Sequence, residues 1–196
     1  MKRLGDFILA SVALVVVSPL LAILAVCIKL DSPGPVFYRG LRAGRSGQPF
    51  RIFKLRTMQS DSNVRGGAWT SSADPRITRL GAILRHYKFD ELPQLINVVT
   101  GDMSFVGPRP EVLEEVHRYS DEEMQLLTVR PGITDWASIR FCQEGDILRD
   151  AVDPATYYHR YIRPEKIRLG LLYVQRSSPL TDLHILFLTV RRLIRG

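Results

Sequence analysis

From Phe7 to Ile28 the chain carries no charged residue, and Ser18-Pro19 stands near the centre of that apolar run. Its length falls within the roughly 17 to 25 residues of a membrane-spanning helix, so whatever else the chain builds must accommodate a lipid-seeking segment. A secretory signal does not fit. The run exceeds the ~7 to 15 residues of a signal's apolar region, and Lys29-Leu30-Asp31 follows where a small-residue cleavage site belongs.

Two features bear on whether the segment crosses the bilayer. Proline lacks the N–H that a helix needs and crowds the carbonyl four residues back, so Pro19 favours a break, with the Ser18 hydroxyl able to serve a freed carbonyl. Basic residues lie on both sides: Lys2 and Arg3 before, Lys29, Arg39, Arg42 and Arg45 after. Cytoplasmic flanks carry such an excess, so both ends prefer one side of the membrane. A re-entrant helical hairpin satisfies both features. Proline kinks also occur in true spans, so these physical cues leave a kinked span open beside the hairpin.

The remainder reads as a domain lying against that membrane. With 196 residues the chain has room for one real core, and its net charge of +7 suits an anionic surface or substrate. Two cysteines, Cys27 and Cys142, offer neither a disulfide framework nor metal-ligand spacing, and the four histidines are scattered. "GPVFYRG" and "QPFRIFKLRTM" are β-prone runs around a turn with Gly44 and Gly47, which predicts a hairpin. Asp74-Pro75 suggests the start of a helix bearing Ile77, Leu80, Leu84 and Tyr87. Leu92, Leu95, Ile96 and Val99 predict the next helix, ended by Gly101. Ser120 to Glu123 reads as a capping box, so Asp121, Glu122 and Glu123 complement a helix dipole rather than bind metal, and Glu111, Glu114 and Glu115 are read the same way. In "SPLTDLHILFLTVRRLIRG", Ser178-Pro179 begins a helix. There Leu180, Leu183, Leu186, Phe187, Val190, Leu193 and Ile194 share one face, with Arg191, Arg192 and Arg195 near its end. Such a helix suits the headgroup plane, or else an ordinary core.

Chemistry concentrates in "LRHYKFDELPQLINVVTGDMSFVGPRPE". Asp90-Glu91 opens a helix, where the dipole keeps a carboxylate ionised, as a cap or as a nucleophile. Arg85 precedes the pair, and Arg109 is fixed between Pro108 and Pro110, preorganised to fork onto phosphate oxygens. An acidic dyad beside arginines in a membrane-bound chain points to phosphoryl chemistry on a lipid.

"DELPQL", "GDMSFVGPRP", "RPGIT" and "FRIFKLRTM", in their order behind an apolar segment with a central Ser-Pro, resemble the bacterial sugar transferase family, the monotopic phosphoglycosyl transferases, in its small form. The resemblance implies transfer of a phosphosugar from a UDP-sugar to polyprenyl (undecaprenyl) phosphate with release of UMP. That reaction initiates glycoconjugates such as O-antigen or exopolysaccharide. It implies Asp90 as nucleophile and Mg2+ contact, Glu91 as its catalytic partner, and Arg85 and Arg109 on substrate phosphates. Lys54 and Arg56 are further candidates for substrate binding, and Ser18 and Pro19 mark the membrane-helix break. It also implies an α+β, mostly helical fold: a re-entrant membrane helical hairpin over residues 1–30, a small β-hairpin region, and amphipathic interfacial helices around a cytoplasmic catalytic domain over residues 31–196. The expected place is the cytoplasmic face of the bacterial inner membrane, inserted in one leaflet. Expected partners are the UDP-sugar, polyprenyl phosphate and membrane lipids, without nucleic acid. A homodimer is admitted, and both the oligomeric state and the sugar stay open.

Two stretches depart from the family's usual pattern. Asp135-Trp136-Ala137-Ser138-Ile139 follows "RPGIT" where a Gly and a Gln-Val pair are common, and Lys88-Phe89 precedes the dyad where Ser or Thr with an aliphatic residue is usual. The rival reading is a non-enzymatic membrane-surface module binding anionic lipid or polyanions, which explains the charge but leaves "DELPQL" and Arg109 without a purpose. A glycosidase is disfavoured, because adjacent acids do not readily place two carboxylates roughly 5 Å or more apart across a glycosidic bond.

Overall fold

The structure, a computed structural model, describes residues 2–59 and 71–195. Its first element, α1, runs from Lys2 to Asp31 and is the one helix among the described residues long and apolar enough to cross a membrane. A single helix thus stands where two arms joined by a reversal are expected. Helical structure continues through Pro19. The physical reason is local: Pro19 cannot donate to the Val15 carbonyl, and the Ser18 hydroxyl donates to that carbonyl instead at 2.8 Å.

One stripe of α1 rests on the rest of the protein. Ala10, Ala13, Leu14 and Val17 pack with Phe50, Ile52, Leu95, Val98 and Met103. Beyond the proline, Leu21, Leu24 and Ile28 pack with Leu55, Leu84 and Phe89. The three-and-four spacing of these contacts keeps its register across Pro19, so both halves face the same domain. The other faces are bare, with Val15 73% and Val16 71% exposed.

Strands β1 (Phe37–Tyr38), β2 (Leu41–Ala43), β3 (Pro49–Arg51) and β4 (Lys54–Leu55) form two small antiparallel ladders, β2 with β3 and β1 with β4. This is the expected hairpin. Gly47 turns it at φ +74, in the left-handed region that favours glycine. Helix α2 spans Arg79–His86, starting later than Asp74-Pro75 suggests: Asp74 grips Arg76 at 2.7 Å, and Thr78 caps the helix by accepting from the Gly81 N–H. Helix α3 (Gln94–Thr100) ends as expected on Gly101, at φ +98.

A parallel pair, β5 (Ser104–Val106) with β6 (Gly132–Thr134), lies outside the sequence expectation. Short helices α4 (Leu113–Val116), α5 (Trp136–Arg140), α6 (Glu144–Arg149) and α7 (Pro154–Tyr157) lead to the longer α8 (Arg163–Arg176) and α9 (Pro179–Arg195). The Ser120 to Glu123 capping box forms in both directions, though it opens a 3-10 turn. Ser178 caps α9 through the Thr181 N–H. Of the α9 face, Leu180, Leu183, Phe187, Val190, Leu193 and Ile194 point outward, while Leu186 packs against the core beside the fully buried Ile185, so most of the apolar stripe is not a core face. The Arg195 side chain lies outside the described residues.

Candidate active site

Asp90 and Glu91 sit on a single 3-10 turn, Phe89–Glu91, between α2 and α3. Lys88 ends the approach at φ +59, a left-handed residue that redirects the chain into the turn. Asp90 is only 8% exposed, and its Oδ1 has no hydrogen-bond partner among the described residues. Burial raises the Asp90 carboxyl above its ordinary range, and the positive charges of Lys54, Arg85 and Lys88 oppose the rise.

Glu91 is held quite differently. Lys54 Nζ lies 2.8 Å from its Oε1, and Arg109 donates to it through Nη2 at 2.5 Å and Nη1 at 3.4 Å. Burial pushes this carboxyl up, but Arg109 and Lys54 together outweigh it and hold the group well below the carboxylate range. Reciprocally, Glu91 raises the Arg109 guanidinium, whereas burial lowers Lys54 against the pull of Glu91. The dyad therefore divides into one clamped carboxylate and one buried carboxylate with an oxygen that has no hydrogen-bond partner among the described residues.

Three segments converge here, and local sequence explains each. The Lys54 segment is registered by Asn97 on α3, whose side chain accepts from the Phe53 N–H at 2.8 Å and donates to the Arg51 carbonyl at 3.0 Å. The α2 segment comes close because Gly81 has no Cβ: one would stand 2.1 Å from the Thr57 carbonyl oxygen. That approach lets Arg85 Nε donate to Thr57 Oγ1 at 2.8 Å, while its Nη1 and Nη2 have no hydrogen-bond partner among the described residues. The Arg109 turn follows β5, where Gly107 and Gly132 touch backbone to backbone.

The sequence-predicted residues Asp90, Glu91, Lys54, Arg85 and Arg109 are thus brought into one charge cluster. Arg56 is turned elsewhere. Its Nη2 reaches the carbonyls of Ile28 and Ser32 and the Ser32 hydroxyl, at the end of α1. Ser18 and Pro19 lie mid-helix on α1, apart from the dyad.

Thr57 and Asn97 belong to the site's surroundings without having been singled out, and Glu111 joins them in a different role from the one its sequence suggests. Glu111, read from sequence as dipole complementation, lines a narrow cleft with Tyr119, Tyr158, Arg163 and Lys166. Burial raises its carboxyl against the pull of Lys166 and Arg109. Its place two residues after Arg109 in "PRPE" was the available signal. Asp135, in the stretch departing from the family pattern, is buried and caps α5 by accepting from the Ser138 N–H at 2.6 Å.

A Mg2+ ion fits this donor set. No group of three or more His, Cys, Asp or Glu among the described residues forms a metal cage, but magnesium is held through one or two carboxylates, waters and substrate oxygens. Asp90 Oδ1, buried and without a hydrogen-bond partner among the described residues, is a donor of that kind.

A protein of Escherichia coli K12 named UDP-glucose:undecaprenyl-phosphate glucose-1-phosphate transferase is 37% identical over 194 residues, covering 97% of this chain and 39% of that protein. A UDP-N-acetylgalactosamine-undecaprenyl-phosphate N-acetylgalactosaminephosphotransferase of Aeromonas hydrophila is 36% identical, covering 100% of this chain and 44% of its own length. The chain thus spans about two fifths of these two curated relatives. It spans 96% of the exopolysaccharide production protein PSS of Rhizobium leguminosarum, at 39% identity over 215 residues and 100% of this chain. The family model described as bacterial sugar transferase matches residues 1–196, and the chain belongs to that family.

Proposed function

We propose that this protein is a phosphoglycosyl transferase that moves a sugar 1-phosphate from a UDP-sugar to undecaprenyl phosphate and releases UMP, at the start of glycoconjugate assembly. Relatives named for this transfer cover nearly all of the chain, with either glucose or N-acetylgalactosamine in their names. The observation that carries the reading is the division of the dyad: Glu91 clamped by Lys54 and Arg109, Asp90 buried with one oxygen unpartnered among the described residues.

In this mechanism Arg85 binds the donor's diphosphate through its Nη atoms, which have no hydrogen-bond partner among the described residues, and Arg109 meets it while steadied by Glu91. An ionised Asp90 oxygen attacks the β-phosphorus. The bond from that phosphorus to the bridging oxygen breaks, and UMP leaves with the bridging oxygen. A phosphate oxygen of the lipid then attacks the aspartyl phosphosugar, returning the Asp90 carboxylate and forming the undecaprenyl diphosphate sugar. No proton is consumed and no ATP is needed, since one phosphoanhydride is exchanged for another. Mg2+ held at Asp90 would supply neutralisation of the diphosphate's charge.

The bare faces of α1 and α9 support one-sided seating in the inner membrane, at its cytoplasmic face. Both ends of α1 are tied to the domain, Lys2 to Asp182 and the Ile28 carbonyl to Arg56, so both ends stay on the domain's side. An active site at that interface meets a soluble donor and a lipid acceptor alike.

The test supplies a panel of UDP-sugars with undecaprenyl phosphate and magnesium to the protein in lipid vesicles. Release of UMP matched by a new undecaprenyl diphosphate sugar is expected. Vesicle binding with no turnover on any donor would leave the membrane-surface module as the function.

A further inference from the structure

Lys2 carries more than a topological signal. Flanking lysines ordinarily extend to the headgroups. Here the ammonium turns inward, 2.7 Å from Asp182 Oδ2 on α9 and 2.7 Å from the Tyr173 phenol oxygen on α8, and donates to the Val106 carbonyl at 3.0 Å. Tyr173 is 1% exposed, and its oxygen stands 3.0 Å from the same Val106 carbonyl and 2.8 Å from Asp182 Oδ1. The phenol has one proton for these two acceptors. The Lys2 side chain is itself 42% exposed, and its ammonium supplies the donor that lets both acceptors be served in this knot around the buried Tyr173.

Val106 ends β5, and Gly107-Pro108-Arg109-Pro110 follows it directly. Little slack separates the knot from the guanidinium. Gly107 N–H donates to the Thr134 carbonyl at 3.1 Å, Gly132 N–H donates to the Pro108 carbonyl at 3.0 Å, and the two prolines fix φ on either side of Arg109. A Cβ on Gly107 would meet the Arg130 carbonyl oxygen at 2.4 Å, so the turn fits against its neighbour with no room to slide. Displacing the Val106 carbonyl displaces Arg109 relative to Glu91.

We propose that Lys2 is a positioning residue for the reaction: the ammonium at the start of the membrane helix fixes the Val106 carbonyl, and through it the turn that presents Arg109 to Glu91 and to the donor's diphosphate. The inference rests on the transferase reading above. It makes α1 a structural part of the active site. A helix not seated against the domain leaves Arg109 unregistered, so diphosphate binding depends on membrane-helix docking.

The experiment is a double-mutant cycle on full-length protein in lipid nanodiscs, reading the dissociation constant for UDP with magnesium. Lys2→Ala should weaken UDP binding by roughly 5- to 10-fold, within the coupling expected for one connected network. Lys2→Arg, which keeps donors for Asp182 and Val106, should restore binding to within about 2-fold of the parent protein. In an Arg109→Lys background, Lys2→Ala should add no more than about 2-fold, because the group it positions is already altered. Full additivity, or parent-like affinity in Lys2→Ala, overturns the positioning role while the transferase reading stands. If Lys2→Ala fails to fold, Asp182→Asn takes its place in the cycle with the same criteria. Absence of UDP binding in the parent protein overturns the transferase reading, and the positioning role with it.

Discussion

Arg109 is locked onto Glu91, with Nη2 2.5 Å from Oε1 and Nη1 3.4 Å from Oε2. Two parallel contacts of this kind need a planar fork, which an ammonium lacks. Arg109→Lys keeps the charge and should still cut kcat/KM for the UDP-sugar by roughly 10- to 100-fold, the equivalent of the ~1.5 to 3 kcal/mol of a charged hydrogen bond. Steady-state kinetics on folded protein checks this, and parent-like turnover would deny the fork a role.

Beside burial and, at Glu91, Arg109, Lys54 acts on the acidity of both carboxylates. Its charge opposes the rise of Asp90 and deepens the fall of Glu91. The attacking form of Asp90 is ionised, so activity is lost as pH falls through its raised pKa. Removing the cation raises that pKa further. Lys54→Met should therefore move the acid limb of the kcat/KM profile upward, by about one pH unit for ~1.4 kcal/mol of lost interaction. A limb that stays or moves to lower pH contradicts the arrangement.

Much of the scaffold was legible because short-range chemistry dictated it: Gly101 as a left-handed stop, the Ser120 to Glu123 box and the glycine turn of the hairpin all form. The start of α2 was misread because Asp74 had a nearer partner in Arg76 than the helix N-terminus. Arg56 and Lys54 looked alike in "FRIFKLRTM", yet one reaches the end of α1 and the other the dyad. Only the packing of α1 distinguishes them. Asn97 bonds to Phe53 and Arg51, and Thr57 to Arg85, across tens of residues, and such contacts leave no periodic trace.

Topology has a direct measure. A Cβ added at Gly5 would meet nothing within 4 Å, so Gly5→Cys fits without disturbance, and Lys29→Cys marks the other end of α1. With Cys27 and Cys142 replaced by serine, both positions should react with a membrane-impermeant maleimide only from the cytoplasmic side. Labelling of one end from the periplasm would make α1 a span.

The outward stripe of α9 should lie in lipid. Phe187 is 64% exposed, so Phe187→Trp changes no core contact. Its fluorescence, after subtraction of the parent protein with Trp69 and Trp136, should be quenched by lipids brominated near the glycerol end of the acyl chain. Quenching by aqueous iodide alone would place the stripe in water.

The central claim is that Asp90 is a covalent nucleophile, and mass spectrometry of the protein incubated with UDP-sugar and magnesium, without lipid acceptor, tests it most directly. A phosphosugar adduct on the peptide containing Asp90 is expected, formed with stoichiometric UMP, and absent from a folded Asp90→Asn variant that no longer turns over. Transfer to lipid with no adduct at any time, together with intersecting rather than parallel initial-rate lines, would contradict it and require direct displacement by the lipid phosphate.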